Sequence, residues 1–151
     1  MLLALSILMR TAHLIAGAVW VGGSVIYLAV IIPGLRLGAA GSQTSAAIAA
    51  LFRRVVNICI GVELLTGVYL IFDRLSTVSV GTAYVAVLAV KIAAALAMIA
   101  LALYQAQEAR RPAKYRGRFW RQAPRWILGL GLLTFVLGAT LVGLFDIALA
   151  R

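Results

Sequence analysis

The sequence predicts an all-α, polytopic membrane protein whose four transmembrane helices form one antiparallel bundle. Three observations predict it. Of 151 residues, 64% are hydrophobic and only 12% charged, with a mean hydropathy of +1.07, whereas soluble domains sit near half apolar and a quarter charged. A water-soluble globule is therefore excluded. The apolar residues gather into four runs, at about 5 to 32, 55 to 72, 83 to 104 and 126 to 146, and a hydrocarbon core of about 30 Å takes roughly 20 helical residues to cross. None of these runs alternates with period two or carries β-turn punctuation, so a closed barrel is excluded and only helices satisfy the backbone in lipid. The whole chain, 1–151, reads as a single membrane domain.

The first run is longer than a bilayer requires, and Arg10 marks its outer boundary. No basic segment precedes it and no small-residue cleavage site follows it, so it is expected to be a span and not a cleaved signal. Pro33-Gly34 is expected to end the helix, because proline lacks the N–H and restricts the residue before it. The small, polar stretch Gly38 to Ser45 then reads as a flexible connector, followed by a short apolar segment, Ala46 to Phe52. Arg53-Arg54 announces the second span, Asp73 to Thr82 forms the second connector, and the strongly basic stretch from Arg110 to Arg125 joins the third span to the fourth.

Orientation follows from the cations. The first connector carries Arg36, Arg53 and Arg54, and the third carries Arg110, Arg111, Lys114, Arg116, Arg118, Arg121 and Arg125. The opposite side has Arg10, Arg74 and Arg151. By the positive-inside rule the two basic connectors are cytoplasmic and both termini lie outside, in a bacterial plasma (inner) membrane. Trp120 and Trp126 fit an inner interfacial belt, with Tyr27, Tyr69 and Tyr84 as weaker markers nearer the middle or the outer edge. The net charge of +10 therefore belongs to loops of a protein whose partner is the lipid bilayer and not nucleic acid. The one cysteine, Cys59, cannot form an intramolecular disulfide, and the one histidine, His13, excludes a multi-histidine metal cage.

Charge inside hydrocarbon is costly, so His13, Glu63 and Lys91 are functional candidates. Counted from the outer ends of their helices, Glu63 and Lys91 lie about 12 to 13 Å deep. That agreement suits a buried ion pair between the second and third spans, and equally a pocket in which Lys91 relays protons or contacts an anionic substrate. On the first helix His13, Gly17, Trp20, Ser24 and Tyr27 recur at intervals of four, three, four and three, one stripe facing the bundle. Glycine and serine there allow close approach of a neighbouring backbone or of a flat cofactor. Ordinary membrane-helix packing, with His13 hydrogen-bonded across an interface, explains the same stripe.

The segment His13-Leu14-Ile15-Ala16-Gly17-Ala18-Val19-Trp20-Val21-Gly22-Gly23 resembles the first-helix signature HLxxxxxWxGG of CopD-like membrane proteins and is similar to the start of HemJ-type protoporphyrinogen oxidases. Arg53-Arg54 with Asn57 resembles the basic entry to their second helix, Thr66-Gly67-Val68-Tyr69-Leu70 resembles its ending, and Lys91 matches a lysine early in their third. The similarity covers residues 8 to 145. It implies a b-type haem bound through His13, with Lys91 needed for activity. A haem is coherent with the residues around it: Gly17 leaves a gap beside the imidazole, Trp20 faces the same side, and Arg10 with Arg74 offers cations for propionates. A single histidine leaves the iron five-coordinate, or ligated by Met9 or Met98, or by a residue of another chain.

The function expected is electron transfer or porphyrinogen oxidation, with a redox partner, a larger membrane complex or a second copy as protein partners. Two other readings follow from the same residues. One is a non-catalytic subunit of a respiratory or photosynthetic assembly. The other is copper handling of the CopD type, although CopD proteins in copper uptake carry extra histidines and methionines where this chain has only Met1, Met9 and Met98 besides His13.

Overall fold

The computed structural model describes residues 2–38, 41–77, 81–111, 119 and 122–149. Among them the chain is all-α. The elements are α1 (Leu2–Ile26), a π-helical turn (Tyr27–Ile31), α2 (Ile32–Arg36), α3 (Ser42–Thr77), α4 (Thr82–Ala109) and α5 (Ala123–Leu149). Four helical stretches are long and apolar enough to cross a membrane: Leu3–Leu35, Gln43–Ser76, Thr82–Ala109 and Ala123–Ala148. The protein is thus a multi-pass membrane protein of four spans.

The helices run further than their apolar cores. Helix does not end at Pro33-Gly34 as expected but continues to Arg36. Proline at position 33 donates no hydrogen bond and its ring crowds the carbonyl four residues back, and the chain accommodates this by widening the preceding turn. The Ile32 N–H bonds the Tyr27 carbonyl, five residues back, before α-helix resumes. The true end comes at Leu37 and Gly38, where Leu37 N–H bonds the Pro33 carbonyl at 3.2 Å and Gly38 takes φ +78°. Only glycine enters that left-handed region without penalty.

The stretch expected to be connector and short apolar segment is also helical: α3 begins at Ser42, well before Arg53-Arg54. Ser45 ties its start, donating its N–H and its hydroxyl to the Gly41 carbonyl at 3.1 and 3.2 Å. The alanine-rich run from Ala46 to Ala50 then has high helix propensity. At 36 residues α3 is about 54 Å long, longer than any bilayer core.

The chain forms two compact units, one up to Leu70 and one from Ile71 onward. In the first, α1 and α3 run antiparallel: Tyr27, just past α1, stacks on Phe52 with ring centroids 4.5 Å apart and planes 4° from parallel, and earlier in the chain His13 of α1 meets Thr66, later in α3. Gly23 admits Phe52 beside that stack. The inward stripe of α1 is as expected, with Trp20 and Ser24 buried and His13, Gly17 and Tyr27 half-buried. Ser24 returns its hydroxyl to the Trp20 carbonyl at 2.8 Å, so its polar group is satisfied within the helix. Cys59 is a free, buried thiol.

In the second unit α4 and α5 are likewise antiparallel. Tyr84, Leu141 and Phe145 form its buried apolar cluster, with Val87, Leu88 and Leu144 around it. Arg74, at the end of α3, lays its guanidinium 3.7 Å above the Phe145 ring. At the opposite end of α4 the buried Glu108 pairs with the exposed Arg111 at 2.7 Å.

Candidate functional site

The first unit places a polar cluster on its apolar helices. His13 projects from α1 toward the face of α3 that carries Glu63, Thr66 and Gly67. Its Nδ1 lies 3.1 Å from Glu63 Oε2 and 2.9 Å from Thr66 Oγ1. Both ionisable side chains are largely enclosed, with 19% of His13 and 21% of Glu63 exposed.

The hydrogen-bond directions follow from proton counting. Thr66 has one hydroxyl hydrogen and donates it to the Val62 carbonyl at 2.6 Å, so toward His13 its oxygen accepts. A carboxylate also accepts. The nitrogen facing both therefore carries a proton, and in the neutral form of the ring the lone pair is on Nε2. Gly67 lies beside the ring edge. A Cβ placed there would stand 3.5 Å from His13 Cε1 and 4.0 Å from Nδ1, in van der Waals contact with the ring edge.

Of the residues the sequence singles out on α1, Trp20 is buried, Gly17 half-buried and Arg10 exposed. Arg10 and Gly17 flank His13 by about one helical turn on either side. Arg74, read as a second cation for propionates, stacks on Phe145 in the second unit. Lys91 also belongs to that unit. It is half-buried on α4, and its Nζ lies 3.3 Å from where a Gly138 Cβ would stand on α5. Met98 is buried seven residues further along α4. Exposed Trp126 at the start of α5 fits an interfacial residue. Met1, Lys114, Arg116, Arg118, Trp120, Arg121 and Arg151 lie outside the described residues, as does the side chain of Arg36.

The structure also draws in residues that the sequence does not single out. Glu63, whose depth in the sequence suits a partner for Lys91, stands beside His13 within the first unit. Thr66 and Gly67 entered only as part of a motif. The available signal is depth, since His13, eleven residues from the start of α1, and Glu63, fourteen residues before the end of α3, come to similar levels when the helices are antiparallel. Gly138 had no signal, because a lysine's reach depends on the helix that faces it.

No family model, curated protein or solved structure matches the chain. Among the described residues no group of three or more His, Cys, Asp and Glu side chains comes together. Beside Nδ1 of His13 stand a carboxylate and a hydroxyl.

Proposed function

We propose that this protein is a b-type haem protein of the bacterial plasma membrane, similar to CopD-like and HemJ-type proteins, acting in electron transfer or porphyrinogen oxidation with His13 Nε2 as an iron ligand. The observation that carries the reading is the engagement of Nδ1 by Glu63 and Thr66. Histidines that bind metals characteristically give their other nitrogen to a carboxylate or another oxygen, which fixes the coordinating tautomer. The residues present therefore fit a haem whose iron His13 would hold, and haem there would supply one-electron redox chemistry.

The chain's own residues divide the remaining work. Arg10, one turn from His13 and exposed, suits an anionic group at the membrane surface. Gly17 and Trp20 continue the inward stripe, one leaving space and the other supplying a flat apolar wall. Lys91 is the candidate for proton or substrate handling, in a setting where a half-buried ammonium responds strongly to its surroundings. In the orientation proposed, both termini face outward and the basic connectors face the cytoplasm.

A non-catalytic subunit is the rival, because a His–Glu–Thr network also pins two helices without any cofactor. An optical spectrum of the protein purified from haem-replete cells separates them. A Soret band that shifts on reduction is expected, and a colourless protein overturns the haem reading. His13→Ala should abolish that band while Lys91→Met retains it, because only the first removes a ligand. Full haem occupancy in His13→Ala removes the ligand assignment.

A further inference from the structure

The geometry points to Glu63 and Thr66 as positioning residues that split one task at His13: Thr66 fixes the rotation of the imidazole, and Glu63 makes its far nitrogen an electron-rich ligand. The inference rests on the reading of His13 as an axial ligand and extends it to what sets the iron's preference for its oxidised state.

Thr66 is suited to direct rather than to charge. Its hydroxyl is anchored to its own helix by the 2.6 Å bond to the Val62 carbonyl, so the oxygen that accepts from His13 is an acceptor of fixed direction. Gly67, the next residue, leaves the ring edge 3.5 Å from the position of a Cβ, so the imidazole is held against α3 with its Cε1 edge toward the backbone. Turning the ring over about its Cβ–Cγ bond would exchange Nδ1 for a carbon and leave the acceptors facing a C–H. The three residues of one α3 face thus admit a single ring orientation.

Glu63 differs in carrying charge. Its Oε2 lies 3.1 Å from the same Nδ1 that Thr66 engages at 2.9 Å, so the N–H is shared between a neutral and an anionic acceptor. A hydrogen bond to a carboxylate draws the proton outward and raises the basicity of the opposite nitrogen. A more basic axial nitrogen favours ferric over ferrous iron, so Glu63 should hold the reduction potential down. The division predicts that the two residues are separable: loss of Glu63 changes the electronics, and loss of Thr66 changes the order of the ring.

The lone histidine makes this measurable without assignment, because every imidazole resonance comes from His13. The full chain, labelled with ring-15N histidine and held in lipid nanodiscs without haem, is examined at a pH of about 9, where an ordinary imidazole is neutral. Wild type should show a protonated Nδ1 and an unprotonated Nε2, and the Thr66→Val/Glu63→Met double variant a mixture of tautomers. A wild-type Nε2–H tautomer overturns the positioning role whatever the cofactor. In the haem-loaded protein, Glu63→Gln keeps an acceptor but not the charge. It should retain haem, raise the reduction potential and lower the iron–histidine stretching frequency in resonance Raman spectra. Thr66→Val should broaden that stretch with a smaller change in potential. An unchanged potential and stretch in Glu63→Gln overturns the electronic role. A chain that takes up no haem removes the ligand reading instead, and the tautomer of the haem-free protein still decides whether Glu63 and Thr66 position the ring.

Discussion

Lys91 and Gly138 show how much one missing methyl can matter inside a membrane. A Cβ at 138 would stand 3.3 Å from the lysine Nζ, tighter than side chains normally tolerate but against the end of a flexible chain. Gly138→Ala should therefore displace the ammonium by a few tenths of an ångström without opening the helices. Alanine's better helix propensity, up to about 1 kcal/mol, offsets the crowding. The melting temperature should stay level or rise while any Lys91-dependent turnover falls, and a parallel loss of both would show that the glycine serves packing alone. At His13 and Glu63 the expectation is coupling. Both single replacements remove the same 3.1 Å contact, so a double-mutant cycle in reversible unfolding should return a coupling of about 0.5–3 kcal/mol. Additive losses would show that the pair contributes nothing jointly. Of this site His13, Gly17 and Trp20 were legible as one stripe because helical periodicity is a property of a single segment. The Glu63–Thr66–Gly67 face was not, because periodicity places residues on a helix but not opposite a neighbour.

The helices themselves were legible and their ends were not, for a reason visible in α1 and α3. Hydropathy locates where apolar residues gather, and Arg53-Arg54 interrupts the apolar sequence, yet the helix passes through it from Ser42 without a break. Proline at 33 reads as a stop in any local rule, but a π turn from Tyr27 to Ile31 absorbs it and the helix continues. The stop is Gly38, whose φ of +78° excludes other residues without strain. Gly38→Ala should cost about 1–2 kcal/mol, the penalty for a Cβ in the left-handed region. Gly34→Ala, inside α2 with open space at its Cβ, should be neutral or stabilising. Thermal unfolding of the two variants in one detergent checks the contrast, and equal effects would show that the turn is not held at Gly38.

For the molecule as a whole, the distribution of cations predicts how it sits in the bilayer. The three observations on which the fold class rests, composition, run length and absence of alternation, are global averages, and such averages survive without any knowledge of packing. Orientation rests on a different average, the excess of Lys and Arg on the first and third connectors over the second connector and the termini. Reporter fusions at Arg151 should be active only if exported, and fusions within the Arg110 to Arg125 connector only if cytoplasmic. The reverse pattern would invert the proposed topology and move His13 to the cytoplasmic half of the membrane.

Cys59 gives the first unit a clock. The chain's only thiol is buried on α3, one turn before Glu63, so a neutral, membrane-permeant alkylating reagent can reach it only when that region opens. At low reagent the labelling rate measures how often the opening occurs at equilibrium, and at saturating reagent it levels off at the rate of opening itself. A ligand that binds the closed form must slow the low-reagent rate in proportion to its occupancy. Haem added to the haem-free protein should therefore protect Cys59 from alkylation, and that protection should vanish in His13→Ala even though the histidine and the thiol stand on different helices.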